Sequence, residues 1–312
     1  MRRLPHSPRG ATLVELLIGT VIGLIVIGIA LQLTLVARAR YQRIADEALI
    51  EDRGTQALAL LTTAIQQAGW ITDTPASQRV RQWTDLEAPP SIQGADNCRA
   101  RNLTPTRIDC QERGAVRGSD ALAVRFAGKG SPTDNSRAGD HIFDCLGNAV
   151  PERVPGNSDD PRAGVMLLYI TEASADNEPQ LMCRSLSRST GELSKDMPGM
   201  VRGIETLQLL YTVGTANGTS TKLLSARSLT SDQWHRVQAV HVALVARGEY
   251  SDPIAAGKPT PRLALFPLQP LPEGNITRQD REFTPTKTQR RRAVFTTTVR
   301  VRNPLACEVD VC

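Results

Sequence analysis

Charge is nearly absent from residues 11–37 of this sequence, although Asp, Glu, Lys and Arg make up 22% of the whole chain. Glu15 is the only charged residue in that stretch. A helix of about 20 predominantly apolar residues is long enough to cross a bilayer. The sequence therefore predicts that residues 11–37 span a membrane, which excludes a chain made only of water-soluble domains.

Proline is absent between residue 11 and residue 73, so the sequence offers no break in a helix that starts in the membrane. After residue 37, apolar residues recur at helical spacing with charged residues between them, at Tyr41, Ile44, Ala48, Leu58, Leu61 and Ile65. Gly69 is a suitable stop signal. We predict one helix over residues 11–68, amphipathic over residues 38–70 and laid against a globular domain of residues 71–312. An independent anchor with a separate linker is disfavoured.

Residues 1–10 contain three arginines and no acid, which favours their retention on the cytoplasmic side. Charge alone does not orient the segment, because Arg38, Arg40 and Arg43 are equally basic on its other side. An ordinary secretory signal ends in a small-residue cleavage site after an apolar core of about 7–15 residues. Here the apolar stretch is longer, and the small residue Gly10 comes before it. The pattern therefore disfavours an ordinary signal peptide.

Residues 10–15 read Gly-Ala-Thr-Leu-Val-Glu and, with the basic leader and the long apolar helix, resemble the processing site of type IV prepilins. The resemblance implies that a dedicated prepilin peptidase cuts after Gly10 and removes the leader. The same enzyme would methylate the new amino terminus, Ala11, and Glu15 would become the fifth residue of the mature chain. Ala11 replaces the phenylalanine usual in the family, and Gln32 stands where many major pilins have a helix-breaking proline.

A carboxylate inside a membrane helix costs roughly 2.5–3.5 kcal/mol on insertion scales, so Glu15 is expected to have a partner or a purpose. Ala11 lies four residues earlier and therefore on the same helix face. After cleavage its amine is a cation that a buried carboxylate can pair with. The amine of a neighbouring subunit would also fix the axial stagger between packed helices. The alternative is an acid tolerated near the membrane face, where it reaches headgroup water.

All six cysteines follow the membrane segment, at Cys98, Cys110, Cys145, Cys183, Cys307 and Cys312. They form no CxxC pair and no CxxCH haem signature, and no histidine lies at metal-ligand spacing from them. An even number in an exported domain favours disulfides formed in an oxidising periplasm. Six cysteines allow fifteen connectivities, of which the short spacings favour Cys98–Cys110, Cys145–Cys183 and Cys307–Cys312. The cysteines thus place the domain on the periplasmic side of a bacterial inner membrane.

Aromatic residues are scarce, at 4% of the chain, so aliphatic side chains have to build the core of the domain. Strands are predicted from alternating or continuous apolar residues, at 122–126, 165–171, 207–213, 237–247 and 293–301. Loops rich in Pro, Gly, Asn and Asp separate them. A helix followed by antiparallel strands predicts an α+β fold. In this pilin-like arrangement the long helix packs on a disulfide-bonded antiparallel sheet.

Residues 181–183, 200–211, 234–247 and 299–303 resemble the PilW family of minor pilins, and this resemblance extends over nearly the whole chain. It implies a low-abundance, non-catalytic subunit of the type IV pilus that joins a tip complex, primes filament assembly and serves adhesion and twitching motility. The implied partners are other minor pilins, the major pilin, the prepilin peptidase, the inner-membrane assembly platform and a tip adhesin.

Two alternatives to a pilus subunit stay open. A J-like pseudopilin of the type II secretion system has the same helix and a similar domain. An anchored periplasmic receptor would also carry the apolar segment, but it would keep its leader. Cleavage before Ala11 therefore separates the receptor from both pilin-like hypotheses.

The sequence favours neither an enzyme nor a cofactor-binding protein. No Walker motif or dinucleotide fingerprint is present, so energy for assembly has to come from a partner ATPase. His141, His235 and His241 are tied to no nucleophile or metal set, and the last two are predicted to share one strand face. Asp144 and residues 157–160 lack the spacing of a calcium-binding EF-hand loop.

Net charge argues against nucleic acid as a partner. The formal charge of +5 falls to about +2 once the three leader arginines are removed, which is too mild to indicate nucleic-acid binding. Arg290, Arg291 and Arg292 are suited to the phosphates of DNA or lipid, but a solvated strand start that discourages edge pairing is the favoured interpretation.

Overall fold

The computed structural model describes residues 12–70, 89–104, 107–111, 116–131, 134–139, 142–151, 164–172, 177–186, 192–194, 199–214, 221–251, 262–266, 276–286 and 289–302. The chain divides into two compact units, Met1–Ala48 and Leu49–Cys312. The described part of the first unit is helical, and the second unit contains the strands.

A long helix, α1 (Leu13–Gln67), begins and ends within two residues of the predicted bounds. Gly69 has a φ of +69°, a left-handed conformation that terminates helices and that glycine adopts without a steric penalty. In the second unit α1 is amphipathic, because its buried apolar residues recur at helical spacing, at Ile50, Ala57, Leu61, Ala64 and Ile65.

The second unit is built mainly of strands with short helical turns. The short α-helices are α2 (Ser231–Trp234) and α3 (Arg278–Arg281), and 3-10 turns occupy Val116–Gly118 and Ala226–Ser228. The described strands are β1 (Ile92–Ala95), β2 (Ala100–Leu103), β3 (Ile108–Cys110), β4 (Ala121–Phe126), β5 (Gly130–Ser131), β6 (Asp134–Ala138), β7 (Gly164–Glu172), β8 (Pro179–Ser185), β9 (Val201–Arg202), β10 (Ile204–Gly214), β11 (Thr221–Leu224), β12 (Val237–Ser251), β13 (Leu263–Ala264), β14 (Glu282–Phe283) and β15 (Arg290–Arg300).

Nine of these described strands form two larger antiparallel sheets, and the other six pair as β2-β3, β5-β6 and β13-β14. The first has the order β1-β4-β7-β8-β9, and the second has the order β11-β10-β12-β15. The five strands predicted from the sequence are all present, as β4, β7, β10, β12 and β15. β12 lies between β10 and β15, where apolar residues on both of its faces are buried. The α+β fold class predicted from the sequence is therefore confirmed.

The main core lies between the amphipathic part of α1 and one face of each sheet. Aliphatic residues dominate it, as the scarcity of aromatic residues predicts; they include Ile65, Leu122, Leu168, Leu207 and Val242. The opposite face of the first sheet is covered by the β2–β3 hairpin, and that of the second sheet by the residues around β13 and β14. Both sheets are consequently buried on two sides over part of their area.

Asp120 connects the two sheets. It lies just before β4 of the first sheet, and its amide donates to the Leu207 carbonyl of β10 in the second sheet, at 2.8 Å. Its carboxylate accepts from the Asn97 amide at 3.0 Å and from the Leu209 amide at 2.8 Å. Burial, assisted by the charge of Asp96, raises the pKa of Asp120 well above its ordinary value.

Two disulfides join the pairs that the sequence spacing favours. Cys98–Cys110 joins the two ends of the β2–β3 hairpin, since Cys98 lies just before β2 and Cys110 ends β3. Cys145–Cys183 attaches the loop before residue 150 to β8. Cys307 and Cys312, the third predicted pair, lie outside the described residues.

A close approach between Gly94 of β1 and the Tyr211 ring of β10 leaves no room for a side chain at position 94. A Cβ built on Gly94 would lie 1.8 Å from the Tyr211 hydroxyl. The ring is fully buried and packs edge-on against Trp234, with 4.9 Å between ring centroids. Among the described residues, the hydroxyl has no hydrogen-bond partner.

We therefore expect Gly94→Ala to displace the tyrosine ring and to lower the free energy of unfolding by about 1–3 kcal/mol, as overpacking of a core does. Tyr211→Phe alone should change stability little, because the hydroxyl that it removes is buried without a partner. Combining the two substitutions should recover part of the loss, since the clashing oxygen is gone. Denaturant unfolding of the four proteins measures the coupling; additive effects would contradict the predicted clash.

Candidate functional site

The first half of α1 presents an extended apolar surface. Every large apolar side chain between Leu13 and Val36 is at least 49% exposed. Within the described part of the chain, α1 is the one helix that is long and apolar enough to cross a membrane. An apolar surface of this extent needs a cover of lipid or of other chains. This surface and the acid at its start form the first candidate functional site.

Glu15 closes a capping box at the start of α1. The Glu15 amide donates to the Thr12 hydroxyl at 3.3 Å, and the Thr12 amide donates to the Glu15 carboxylate at 3.4 Å. Such reciprocal bonds satisfy amides that a helix start otherwise leaves without partners. Glu15 therefore has a local structural role in addition to the charge-pairing role predicted for it. The Thr-x-x-Glu spacing was the sequence signal for this role.

Gly19 and Gly23 follow Glu15 at four-residue steps and lie on the same face of α1. A Cβ built at either glycine would meet no atom within 4 Å. Small residues on one face of a membrane helix let the backbone of a second helix approach closely. This face is suited to helix–helix packing.

A buried ion network is the second feature, and it lies in the second unit. Its acidic centre is Glu205 of β10, which is fully buried. The Glu205 carboxylate accepts hydrogen bonds from Arg117, in the 3-10 turn before β4, and from Arg292 of β15, the latter at 2.5 Å. Arg247 of β12 lies 3.6 Å away. Two carboxylate oxygens are thus shared by three guanidinium groups from three separate parts of the chain.

Arg53 connects α1 to this network. One of its nitrogens lies 3.5 Å from Glu178, just before β8. The Arg53 guanidinium also donates to the Arg247 carbonyl at 2.9 Å through Nη1, and to the Glu249 carboxylate at 2.5 Å through Nη2. Gly203, with a φ of +76°, makes room for it, since a Cβ there would lie 2.4 Å from the Arg53 guanidinium.

Glu178 carries the network to the edge of the first sheet. It accepts a hydrogen bond from Arg202 of β9 at 2.8 Å, and it lies 3.9 Å from Arg247. The network therefore includes residues of α1 and of both sheets. Glu178 lies between an arginine of α1, one of β9 in the first sheet and one of β12 in the second sheet.

Comparison with known proteins matches residues 168–303 to the family described as type IV pilus-assembly protein W, PilW. The predicted resemblance to the PilW family is confirmed over this segment. Among solved structures, the type IV-like pilin TTHA1219 from Thermus thermophilus is similar, with 12% sequence identity and a TM-score of 0.40. That similarity covers 82% of this chain and 97% of the pilin. No curated protein sequence matches significantly.

The PilW segment begins within β7 and extends past the end of β15. It therefore contains the network residues Glu178, Glu205, Arg247 and Arg292, whereas Arg53 and Arg117 precede it. The charged core is therefore completed by residues outside the matched segment, on α1 and in the turn before β4.

The interpretation of residues 290–292 as a solvated strand start is wrong for Arg292. Its side chain is 4% exposed and pairs with Glu205. The reason is register: Arg292 stands opposite Arg247 on the neighbouring strand, on the face that Glu205 occupies. Sequence reasoning missed this role because Glu205 lies 87 residues earlier in the chain.

The prediction that His235 and His241 share one strand face is also wrong. His235 caps the C-terminal end of α2, and β12 begins only at Val237. His241 lies on β12, with its ring nitrogens 2.6 Å from the Thr212 hydroxyl and 2.9 Å from the Thr298 hydroxyl. His241 therefore makes polar contacts across the strands of the second sheet.

Asp144 organises the loop before residue 150. One of its carboxylate oxygens accepts from the amides of Leu146 and Asn148, both at 2.9 Å. Among the described residues, no three His, Cys, Asp or Glu side chains come together as metal ligands. Gly10, Ala11, His141 and residues 157–160 lie outside the described residues.

The network arginines determine the protonation of Glu205. Burial alone would raise the pKa of this carboxyl, but the hydrogen bond from Arg292 and the charges of Arg117 and Arg292 outweigh burial. The pKa is therefore lowered from its ordinary value of 4.5. A carboxyl with a lowered folded-state pKa stabilises the fold above its ordinary pKa, and that contribution is lost as the pH falls through the folded-state value.

We expect Glu205→Gln to destabilise the domain by about 3–5 kcal/mol at neutral pH, because it leaves buried arginines without their shared acid. The loss of stability on acidification below pH 4.5 should also become smaller. Denaturant unfolding between neutral and acidic pH measures both effects. The matched control is Glu249→Gln, which also removes an arginine partner but at a half-exposed site, and it should cost at most about 1 kcal/mol. Equal losses for the two variants would contradict a central role for Glu205.

Proposed function

We propose that this protein is a minor pilin of the type IV pilus, a non-catalytic subunit that primes filament assembly and forms part of the pilus tip. The observation that carries the proposal is the exposed apolar half of α1, with its only acid, Glu15, at its first turn. The match of residues 168–303 to the pilus-assembly family PilW supports it independently.

Before assembly, the exposed half of α1 lies in the bacterial inner membrane, with the leader in the cytoplasm and the domain in the periplasm. Lipid is the cover that this apolar surface requires in the free subunit. The two disulfides of the domain support the periplasmic side, because such bonds persist in oxidising compartments.

In the assembled state, helices of other subunits replace the lipid. The face that carries Glu15, Gly19 and Gly23 admits a second helix closely. Glu15 then pairs with the amine of Ala11 of a neighbouring subunit, once the prepilin peptidase has removed residues 1–10. The partners are other minor pilins, the major pilin, the assembly platform and a tip adhesin, and the filament serves adhesion and twitching motility.

Glu15→Gln separates the charge of this residue from its capping role, because glutamine also completes a capping box. If pairing with an amine is the role of Glu15, both Glu15→Gln and Glu15→Leu should leave the protein in the membrane fraction but absent from sheared filaments. If capping is its role, Glu15→Gln should enter filaments as the unchanged protein does. Immunoblots of membrane and sheared fractions measure the distribution.

The fractions in which the unchanged protein is found also decide between a pilus subunit and the J-like pseudopilin. Recovery in sheared surface pili together with other minor pilins supports the pilus. Copurification with the secretion channel and absence from surface fibres would instead support the pseudopilin.

Processing gives a separate prediction. The amino terminus of the protein purified from the membrane should be N-methylated Ala11, because cleavage after Gly10 exposes it. Mass spectrometry of the intact chain and of its amino-terminal peptide measures this directly. An unprocessed Met1 would contradict the proposal and would favour an anchored periplasmic receptor.

A further inference from the structure

A cavity of about 350 Å³ lies where the β2–β3 hairpin meets the end of β8. Small-molecule sites in proteins have volumes of about 300–1,000 Å³, so this cavity is large enough for a small ligand. Its polar lining consists of Arg101 and Asn102 of β2, Arg184 of β8 and Glu192, and three leucines complete it. Side chains of both charges, together with an amide, indicate a ligand that is itself polar.

Arg184 fixes the walls of the cavity relative to one another. It donates from Nε to the Ser194 carbonyl at 2.6 Å, from Nη1 to the Arg101 carbonyl at 2.9 Å, and from Nη2 to the Leu193 carbonyl at 3.1 Å. The Ser194 amide also donates to the Ser185 carbonyl of β8 at 2.8 Å. The cavity is therefore formed before a ligand enters it, which reduces the entropic cost of binding.

The arginines around the cavity lack acidic partners. Among the described residues, Arg184 and Arg101 form no ion pair, and the acceptors of Arg184 are three carbonyls and the Tyr169 phenol. Burial raises the pKa of that phenol above its ordinary value of 10.0, so it is neutral as well. The charge of Arg99 also acts on Tyr169. A guanidinium group binds a carboxylate through two parallel hydrogen bonds, so these arginines are suited to a ligand that carries one.

The rest of the lining favours hydroxyl groups beside that carboxylate. A carboxylate has about four acceptor sites, so Glu192 can accept from a ligand in addition to its other interactions, whereas it repels a second negative charge. The Asn102 amide both donates and accepts. Leu193 is buried, and Leu103 and Leu186 are partly buried beside it. They offer an apolar wall to the C–H groups of a ring.

We propose that this cavity binds one sugar residue that carries a carboxylate, of the uronic-acid type. Arg101 and Arg184 hold the carboxylate, Glu192 and Asn102 bind ring hydroxyls, and the leucines contact the C–H groups. The site lies in the globular domain and not on the exposed half of α1, so it does not depend on the proposed role in the pilus.

Glucuronate and glucose are a matched pair of ligands, because a carboxylate in the first replaces a hydroxymethyl group in the second. Saturation-transfer difference nuclear magnetic resonance measures their binding to the full-length protein in a polyoxyethylene detergent, which contains no sugar. Glucuronate should bind with a dissociation constant on the order of 1 mM. Glucose should bind at least about tenfold more weakly, because it cannot form a hydrogen bond from an anion to the arginines. Equal binding of the two sugars, or binding of neither, would overturn the proposal.

Arg101→Gln should weaken glucuronate binding about tenfold and should leave the fold intact, because the side chain is exposed. The matched control is Arg107→Gln, which removes an exposed arginine of the same hairpin that does not line the cavity; it should bind glucuronate as the unchanged protein does. Equal effects of the two substitutions would contradict the assigned site. Displacement of glucuronate by an equal concentration of acetate would overturn the assignment to a sugar, since it would indicate a site for any carboxylate.

Discussion

The folded domain depends on one shared constraint: acids buried between its elements need arginines from other elements. Glu205 of β10 receives them from β15 and from the turn before β4, and Glu178 receives Arg53 from α1. Because an isolated buried charge is far less favourable than a paired one, each element is stable only when the others are in place. The apolar core supplies most of the burial, whereas the ion network specifies how α1 and the two sheets are combined.

Much of the fold could be predicted because short stretches of sequence determine the long helix and several strands. A proline-free stretch, helical spacing and Gly69 set the bounds of α1 to within two residues. The five predicted strands have apolar runs or an apolar–polar alternation that is visible within each segment alone. The short strands β2, β3, β9 and β13 carry no such pattern, since their pairing depends on neighbours elsewhere in the chain. The two described disulfides join successive cysteines in chain order, 12 and 38 residues apart, as predicted.

The candidate site was less predictable, for two different reasons. Arg292 looked like a solvated residue because its partner, Glu205, is 87 residues away and only the register of β10, β12 and β15 brings them together. The capping role of Glu15 has a local signal, Thr12 three residues earlier, but the sequence analysis assigned Glu15 only to charge pairing. The pairing of Arg292 with Glu205 has no local sequence signal. The Thr12–Glu15 capping box has one, but the membrane position predicted for Glu15 already explained the residue.

Glu15 and Glu205 both need a cation as partner. Glu205 finds its cations within the chain, whereas the proposed function gives Glu15 the cation of another subunit. Glu205 is buried in the domain, and under the proposed function Glu15 lies in lipid; a carboxylate is stable in either surrounding only beside a cation. The chain supplies cations to Glu205 itself, through Arg117 and Arg292. Residues 11–37 contain no cationic side chain that could serve Glu15 in the same way. Under the proposed function this shortage is what makes the subunit incomplete alone: the cation for Glu15 comes from the processed amino terminus of another subunit, so the acid that cannot be neutralised within one chain drives the joining of two.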